Sequence, residues 1–150
     1  MFRGNYPHSV DDKGRVAIPA RFREVLSGLQ DERLVVTRFK RRGRRCLDVY
    51  PLSTWLGLEQ RIAEKKRFNR KLAAFESYYI AGAQDVQIDG QGRLLIPPLL
   101  RDYAELGRDV VFTGHIDRFQ IWNKDVWRQL ESEDEQEVFD DPELLNELEL

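Results

Sequence analysis

The sequence predicts an α+β protein, mainly β with helices, assembled from two related halves around a pseudo-two-fold. Three observations lead there. First, DDKGRVAIPARFREVL at 11–26 is echoed by DGQGRLLIPPLLRDYAEL at 89–106. A shift of 78 positions superposes Asp11 on Asp89, Gly14 on Gly92, Arg15 on Arg93, Ile18 on Ile96, Pro19 on Pro97 and Arg23 on Arg101. Second, each copy is followed by a β-branched run, LVVTRF at 34–39 or VVFTGHI at 110–116, and then by a second apolar run, CLDVYP at 46–51 or FQIWN at 119–123. Third, Trp55, Leu58 and Ile62, and then Phe68, Leu72, Phe75 and Tyr79, recur at helical spacing between the copies. An internal repeat decides the architecture before any local reading does.

Within a copy the elements follow in order. Gly14 and Gly92 permit a tight turn with positive φ. Val16-Ala17-Ile18 and Leu94-Leu95-Ile96 are too short for a helix and suit a buried strand. Pro19 and Pro97 fit the first position of a short helix that carries Arg23 or Arg101. Ile18 and Ile96 are poor N-caps, so tertiary context must satisfy those helix starts. A hairpin completes each copy, and the stretch RFKRRGRRC at 38–46, with six basic residues in nine, reads as a loop between its strands. Such a half has too little core to stand alone. The chain therefore divides into a first half at 1–53, a helical insertion at 54–82 with Gly82 as its stop, a second half at 83–130 and an acidic tail at 131–150.

Composition narrows the functional class. With 41% hydrophobic residues, including 8 Phe, 5 Tyr and 3 Trp, the chain can bury a core. The single Cys46 forms no internal disulfide, and no cysteine–histidine grouping has zinc spacing, so neither metal nor other cofactor is expected. MFRGNYPHSV lacks an apolar signal core and no run of about 18 apolar residues occurs, which points to a cytoplasmic protein without a membrane partner. Catalysis lacks support: His8 and His115 sit in no recognisable motif, and no G-x-S-x-G, H-E-x-x-H, P-loop or dinucleotide fingerprint is present. No enzyme and no small-molecule substrate are expected.

The net charge of −2 conceals a segregated distribution. Residues 131–150 carry ten acidic side chains and no Lys or Arg, which leaves 24 basic against 16 acidic residues in 1–130, a net of +8. Within 1–75 the balance is 18 basic against 8 acidic. A basic body suits a polyanionic partner, while the tail reads as a solvated, partly helical terminus whose carboxylates can also screen that body. Arg15 and Arg93, just after the turn glycines, admit two compatible readings: an ion pair with Asp11 or Asp89, and a guanidinium aimed at a partner. On a rigid β scaffold such a fork can address guanine edges. Arg41, Arg42, Arg44 and Arg45 read as phosphate contacts on a looser loop, with a solvated turn guarding a strand edge as the alternative. EKKRFNRK at 64–71 reads as the solvated face of a helix.

MFRG at 1–4, DDKGRVAIPARFR at 11–23 and DGQGRLLIPPLLR at 89–101 resemble the bacterial MraZ family, with both D-x-x-x-R motifs in place. The resemblance spans nearly the whole chain. It implies a tandem AbrB-like, swapped-hairpin β-barrel with flanking helices, and a ring-shaped homo-oligomer. It implies a transcriptional regulator, usually a repressor, that binds double-stranded DNA at direct repeats in the promoter of its own cell-division and cell-wall gene cluster, in the cytoplasm and nucleoid. Carried onto this chain, the DNA-binding residues are Arg15 with Lys13 and Arg93 with Gln91, oriented by Asp11 and Asp89. The copies are unequal: only the first has a cation, Lys13, at the turn, and Leu99 replaces Arg21, so the first is expected to dominate. Two other classes stay open, an oligomeric antitoxin-like protein-binding module and an RNA-binding protein, the latter without an RNP-type aromatic motif.

Overall fold

The computed structural model describes residues 1–150. In chain order it runs β1 (Asn5–Ser9), β2 (Arg15–Ala17), α1 (Ala20–Gly28), β3 (Arg33–Arg41), β4 (Arg44–Pro51) and α2 (Leu52–Lys65). A single 3-10 turn (Lys66–Phe68), α3 (Arg70–Phe75) and a π-helical turn (Glu76–Ile80) complete the helical segment. Then come β5 (Gln84–Gln87), β6 (Arg93–Leu95), α4 (Pro98–Tyr103), β7 (Asp109–Gly114), β8 (Phe119–Asn123), α5 (Lys124–Phe139) and α6 (Pro142–Glu147). The expected α+β class is the one observed, with 43% helix and 30% strand, because α2, α3, α5 and α6 lie outside the strand-built body. No helix is long and apolar enough to cross a membrane.

Six strands form one antiparallel sheet in the order β1-β7-β8-β4-β3-β5, and β2 pairs with β6 in a separate ribbon. Exchanging the halves, β1 with β5, β3 with β7 and β4 with β8, turns that order into its own reverse. That is the topology of a pseudo-two-fold. Each half gives its first strand to the hairpin of the other: β1 pairs with β7, and β5 with β3. The halves meet where Leu47 faces Ile121 and Val49 faces Phe119 across β4 and β8. The ribbon touches both edge strands of the sheet, β2 against β1 and β6 against β5.

Strand alternation explains where the core sits. Val16 and Leu94 turn inward from the ribbon while Arg15, Ala17, Arg93 and Leu95 turn outward. The inward pair joins Ile18, Ile96, Phe22, Leu100, Val36, Leu47, Val49, Phe112, Phe119 and Ile121 in one cluster drawn from both halves. The outer face of the hairpins is covered too. Val35, Tyr50, Trp55 and Tyr79 pack under the helical segment, and Cys46, Trp122 and Leu130 under α5. Burial on both faces is why these strands read as continuous apolar runs rather than alternating ones.

A buried polar network locks the helical segment to both halves. Tyr79 donates its hydroxyl to Asp48, Gln120 Nε2 donates to Asp48 Oδ1 at 2.8 Å, and Trp122 Nε1 donates to Gln120 Oε1 at 2.9 Å. Arg118 Nε stands 3.6 Å from Asp48 Oδ1 as counter-ion. Burial pushes the Asp48 carboxyl up, against the opposing pull of Tyr79 and Arg118, and burial carries the Tyr50 phenol up to about 12.

Two local expectations differ from the structure. Pro19 and Pro97 stand at the N-cap, with ψ of 138° and 133°, rather than at the first helical position; Pro98 takes that position in α4. The fixed proline φ suits either place, and the extended ψ decides for the cap. The basic loop at 38–46 is a two-residue turn, Arg42-Gly43, with φ of 51° and 75° at the two positions. Two successive positive φ values match the twist of the flanking strands and let β3 and β4 run to the tip.

Candidate nucleic-acid interface

The two D-x-x-x-R turns are copies of each other in atomic detail. Asp11 Oδ1 accepts from Lys13 N and Arg15 N, both at 2.9 Å, and Oδ2 accepts from Arg15 Nε at 3.0 Å. Asp89 Oδ1 accepts from Gln91 N and Arg93 N at 2.9 Å, and Oδ2 from Arg93 Nε at 3.0 Å. Gly14 and Gly92 close the turns with φ of 85° and 75°. Each carboxylate grips Nε, and the two terminal nitrogens of each partly exposed guanidinium make no hydrogen bond within the chain, which leaves them available to a bidentate partner. The Arg15 backbone N–H is the main reason that the Asp11 carboxyl stays below its usual range, with its side chain and the Lys13 N–H adding to it; the Arg93 backbone N–H does the same for Asp89. Both carboxyls are therefore ionised at neutral pH and hold their arginines in place.

The ribbon places both motifs on one face. Arg15 opposes Leu95 and Ala17 opposes Arg93, so the two arginines sit diagonally on adjacent strands, facing outward together. Lys13 and Gln91 are exposed at the tips of the two turns. The rungs continue beyond the strands: Ile18 N donates to Gly92 O at 3.0 Å, and Ile96 N donates to Gly14 O at 2.9 Å. Each turn is thus clamped by the other half. The result is a rigid two-stranded ribbon with two aimed guanidinium groups, two polar turn tips and a strip of small or apolar side chains between them.

The structure adds two residues that motif reading left without a role. Arg23 leaves α1 with Nε donating to Ile18 O at 3.1 Å, and its Nη1 lies 2.7 Å from where a β-carbon on Gly92 would stand. Arg101 leaves α4 and brings Nη1 to 3.3 Å from the same point on Gly14. Each helix arginine therefore backs the turn of the opposite half. Their signal in the sequence was the retention of an arginine at the 78-residue shift. Arg101 and Arg108 also line a cleft of about 530 Å³ beside Asp11 and Asp12.

The hairpin arginines lie elsewhere and are differently occupied. Arg41 pairs with Asp134, Arg44 with Glu133, and Arg42 with both Asp134 and Glu137, all on α5. Arg45 alone of the four has no carboxylate partner and lies over the Tyr103 ring at 5.0 Å. His115 is a hydrogen-bonded histidine, 2.8 Å from Thr113 Oγ1, and burial lowers its pKa to about 4.

Fold and site together define a class: a duplicated, strand-exchanged β body that carries two carboxylate-aimed arginines on one solvent face. The family model described as "MraZ protein, putative antitoxin-like" matches residues 1–77 and 79–145. The chain belongs to the MraZ family. Similar proteins include the transcriptional regulator MraZ of Acidithiobacillus ferrooxidans, 43% identical over 129 residues, with 85% of each chain covered. Those of Nitrosospira multiformis and Syntrophobacter fumaroxidans are 40% and 41% identical, the first over 88% of each chain, the second over 84% of this chain and 81% of its own.

Proposed function

We propose that the chain is a sequence-specific, DNA-binding transcriptional regulator that acts without catalysis. It is a repressor of its own cell-division and cell-wall gene cluster, and works as a ring-shaped homo-oligomer on direct repeats in that promoter, in the cytoplasm and nucleoid. The observation that carries this reading is the shared outward face of Arg15 and Arg93, each aimed by its aspartate on one rigid ribbon. The names of the relatives support the same class. A two-stranded ribbon fits the major groove, where an arginine fork meets guanine O6 and N7. Lys13 and Gln91 reach neighbouring edges or phosphates, and the small or apolar Ala17 and Leu95 between the arginines suit a thymine methyl. Arg45 supplies a phosphate contact that positions without reading, and Arg41, Arg42 and Arg44 do the same once they leave their α5 carboxylates.

A ring gains affinity by engaging several repeats at once, through effective concentration rather than any single strong contact. Exposed Leu99, Ile116, Phe68 and Phe139 are apolar side chains available for subunit contacts. The test compares a duplex from the chain's own promoter, an unrelated duplex and single-stranded RNA at one salt concentration. A clear preference for the promoter duplex, falling steeply when several repeats are cut to one, is expected. Equal affinity for both duplexes overturns the specific-regulator reading, and preference for the RNA overturns the choice of nucleic acid.

A further inference from the structure

Three guanidinium groups at the tip of the β3–β4 hairpin are each engaged by carboxylates of a single helix. Arg41 donates from both terminal nitrogens to Asp134 at 2.8 and 2.7 Å, and Arg44 does the same to Glu133 at 2.7 Å for both bonds. Arg42 reaches Asp134 at 3.3 Å and also pairs with Glu137. Positions 133, 134 and 137 continue the α5 face that begins with Val126, Trp127 and Leu130. Anchoring changes along that face. Leu130 is fully buried against Cys46 and Trp122, and beyond it no α5 residue joins a buried cluster. Past Leu130 the helix is held to the hairpin by charge.

A carboxylate offers a guanidinium fork two oxygens, as a phosphate does. We propose that the Arg41–Arg44 hairpin is a second nucleic-acid surface that the chain masks with its own helix: Glu133, Asp134 and Glu137 occupy the phosphate positions until a duplex backbone displaces them. The inference rests on the DNA-binding reading and adds its regulation. The pairs are bidentate and linked through Arg42, but every one keeps solvent-exposed area and is screened by salt, and no apolar contact backs them, so the distal helix is exchangeable. A duplex already held by the ribbon competes, because each phosphate neutralised releases condensed counter-ions, whereas on arbitrary DNA the carboxylates stay in place. Masking lowers affinity for arbitrary DNA and leaves discrimination to the ribbon. It also gives the segregated charge a local purpose, since the acidic run is placed where the basic hairpin needs cover.

The test uses the full chain and an unrelated duplex, titrated between 50 and 200 mM salt. The masking variant is E133Q/D134N/E137Q. Its control, E143Q/E147Q/E149Q, removes the same three charges from positions that pair with none of these arginines. Three added phosphate contacts steepen the loss of affinity over that range by about 40-fold relative to wild type, at about 0.9 of slope each. The control changes far less, and adding R41A/R42A/R44A to the masking variant abolishes its gain. If the triple variant fails to assemble, D134N alone is expected to steepen the loss by about 3.5-fold. A masking variant that tracks its control overturns the masking while promoter preference at the ribbon still stands. No duplex binding by any of these proteins overturns both.

Discussion

Replacing Gly92 with alanine probes the turn where the halves clamp each other. Its φ of 75° places an L residue in left-handed backbone, at about 1–2 kcal/mol. The new β-carbon would lie 2.7 Å from Arg23 Nη1 and 2.9 Å from Arg23 Cδ, so the arginine must swing aside. Moving it breaks the bond from Arg23 Nε to Ile18 O, for about 0.5–1.5 kcal/mol more. The sum, about 1.5–3.5 kcal/mol, corresponds to a drop of about 3–14 °C in melting temperature for a domain of this size. Gly14→Ala has the same backbone cost, but its nearest neighbour is Arg101 Nη1 at 3.3 Å, so the drop is smaller. Gly90→Ala meets nothing within 4 Å and serves as the silent control. Urea and thermal unfolding followed by circular dichroism give the comparison. If Gly92→Ala melts with Gly90→Ala, or Gly14→Ala costs more than Gly92→Ala, the crossed clamp is refuted.

Asp48→Ala strips the acceptor from Tyr79 and Gln120 and the counter-ion from Arg118, and is expected to destabilise by about 3–5 kcal/mol in urea unfolding, with Asp48→Asn clearly milder. His115, with its pKa lowered from 6.5 to about 4 by burial, resists protonation in the folded state while the unfolded chain accepts the proton freely. Stability is then lost as pH falls from about 6.5 towards 4, and His115→Gln flattens that part of the profile of unfolding free energy against pH.

Much of this molecule is legible in the sequence because it is written twice. The shift of 78 marks the turn, the short strand, the helix and the hairpin in both halves, and the aspartate four residues before each arginine announces the ion pair. The strand exchange is not legible. NYPHS carries no strong alternation, contains Pro7, and becomes β1 only because β7 offers it an edge about a hundred residues later. The acidic terminus hides its structure for a related reason. Residues 131–139 continue α5, and the spacing of Glu133, Asp134 and Glu137 acquires meaning only beside arginines about ninety positions earlier. Composition shows opposite charges in one chain, and only the fold shows which of them meet. Arg23 and Arg101 lie between these extremes: their recurrence was visible, but that each backs the turn of the other half follows from the β2–β6 pairing.

On the proposed function, the aspartate-aimed arginines on the ribbon read DNA. Arg15→Ala and Arg93→Ala, measured against the promoter duplex and an unrelated duplex at one salt concentration, address it most directly. With oligomer size and melting temperature near wild type, Arg15→Ala is expected to lose about 1–3 kcal/mol per engaged turn and to erase the promoter preference. Arg93→Ala loses less, because Gln91 stands where the first turn has Lys13. A folded Arg15→Ala protein that keeps its full preference for the promoter would rule out DNA reading by this arginine and leave the guanidinium as a structural partner of Asp11 alone.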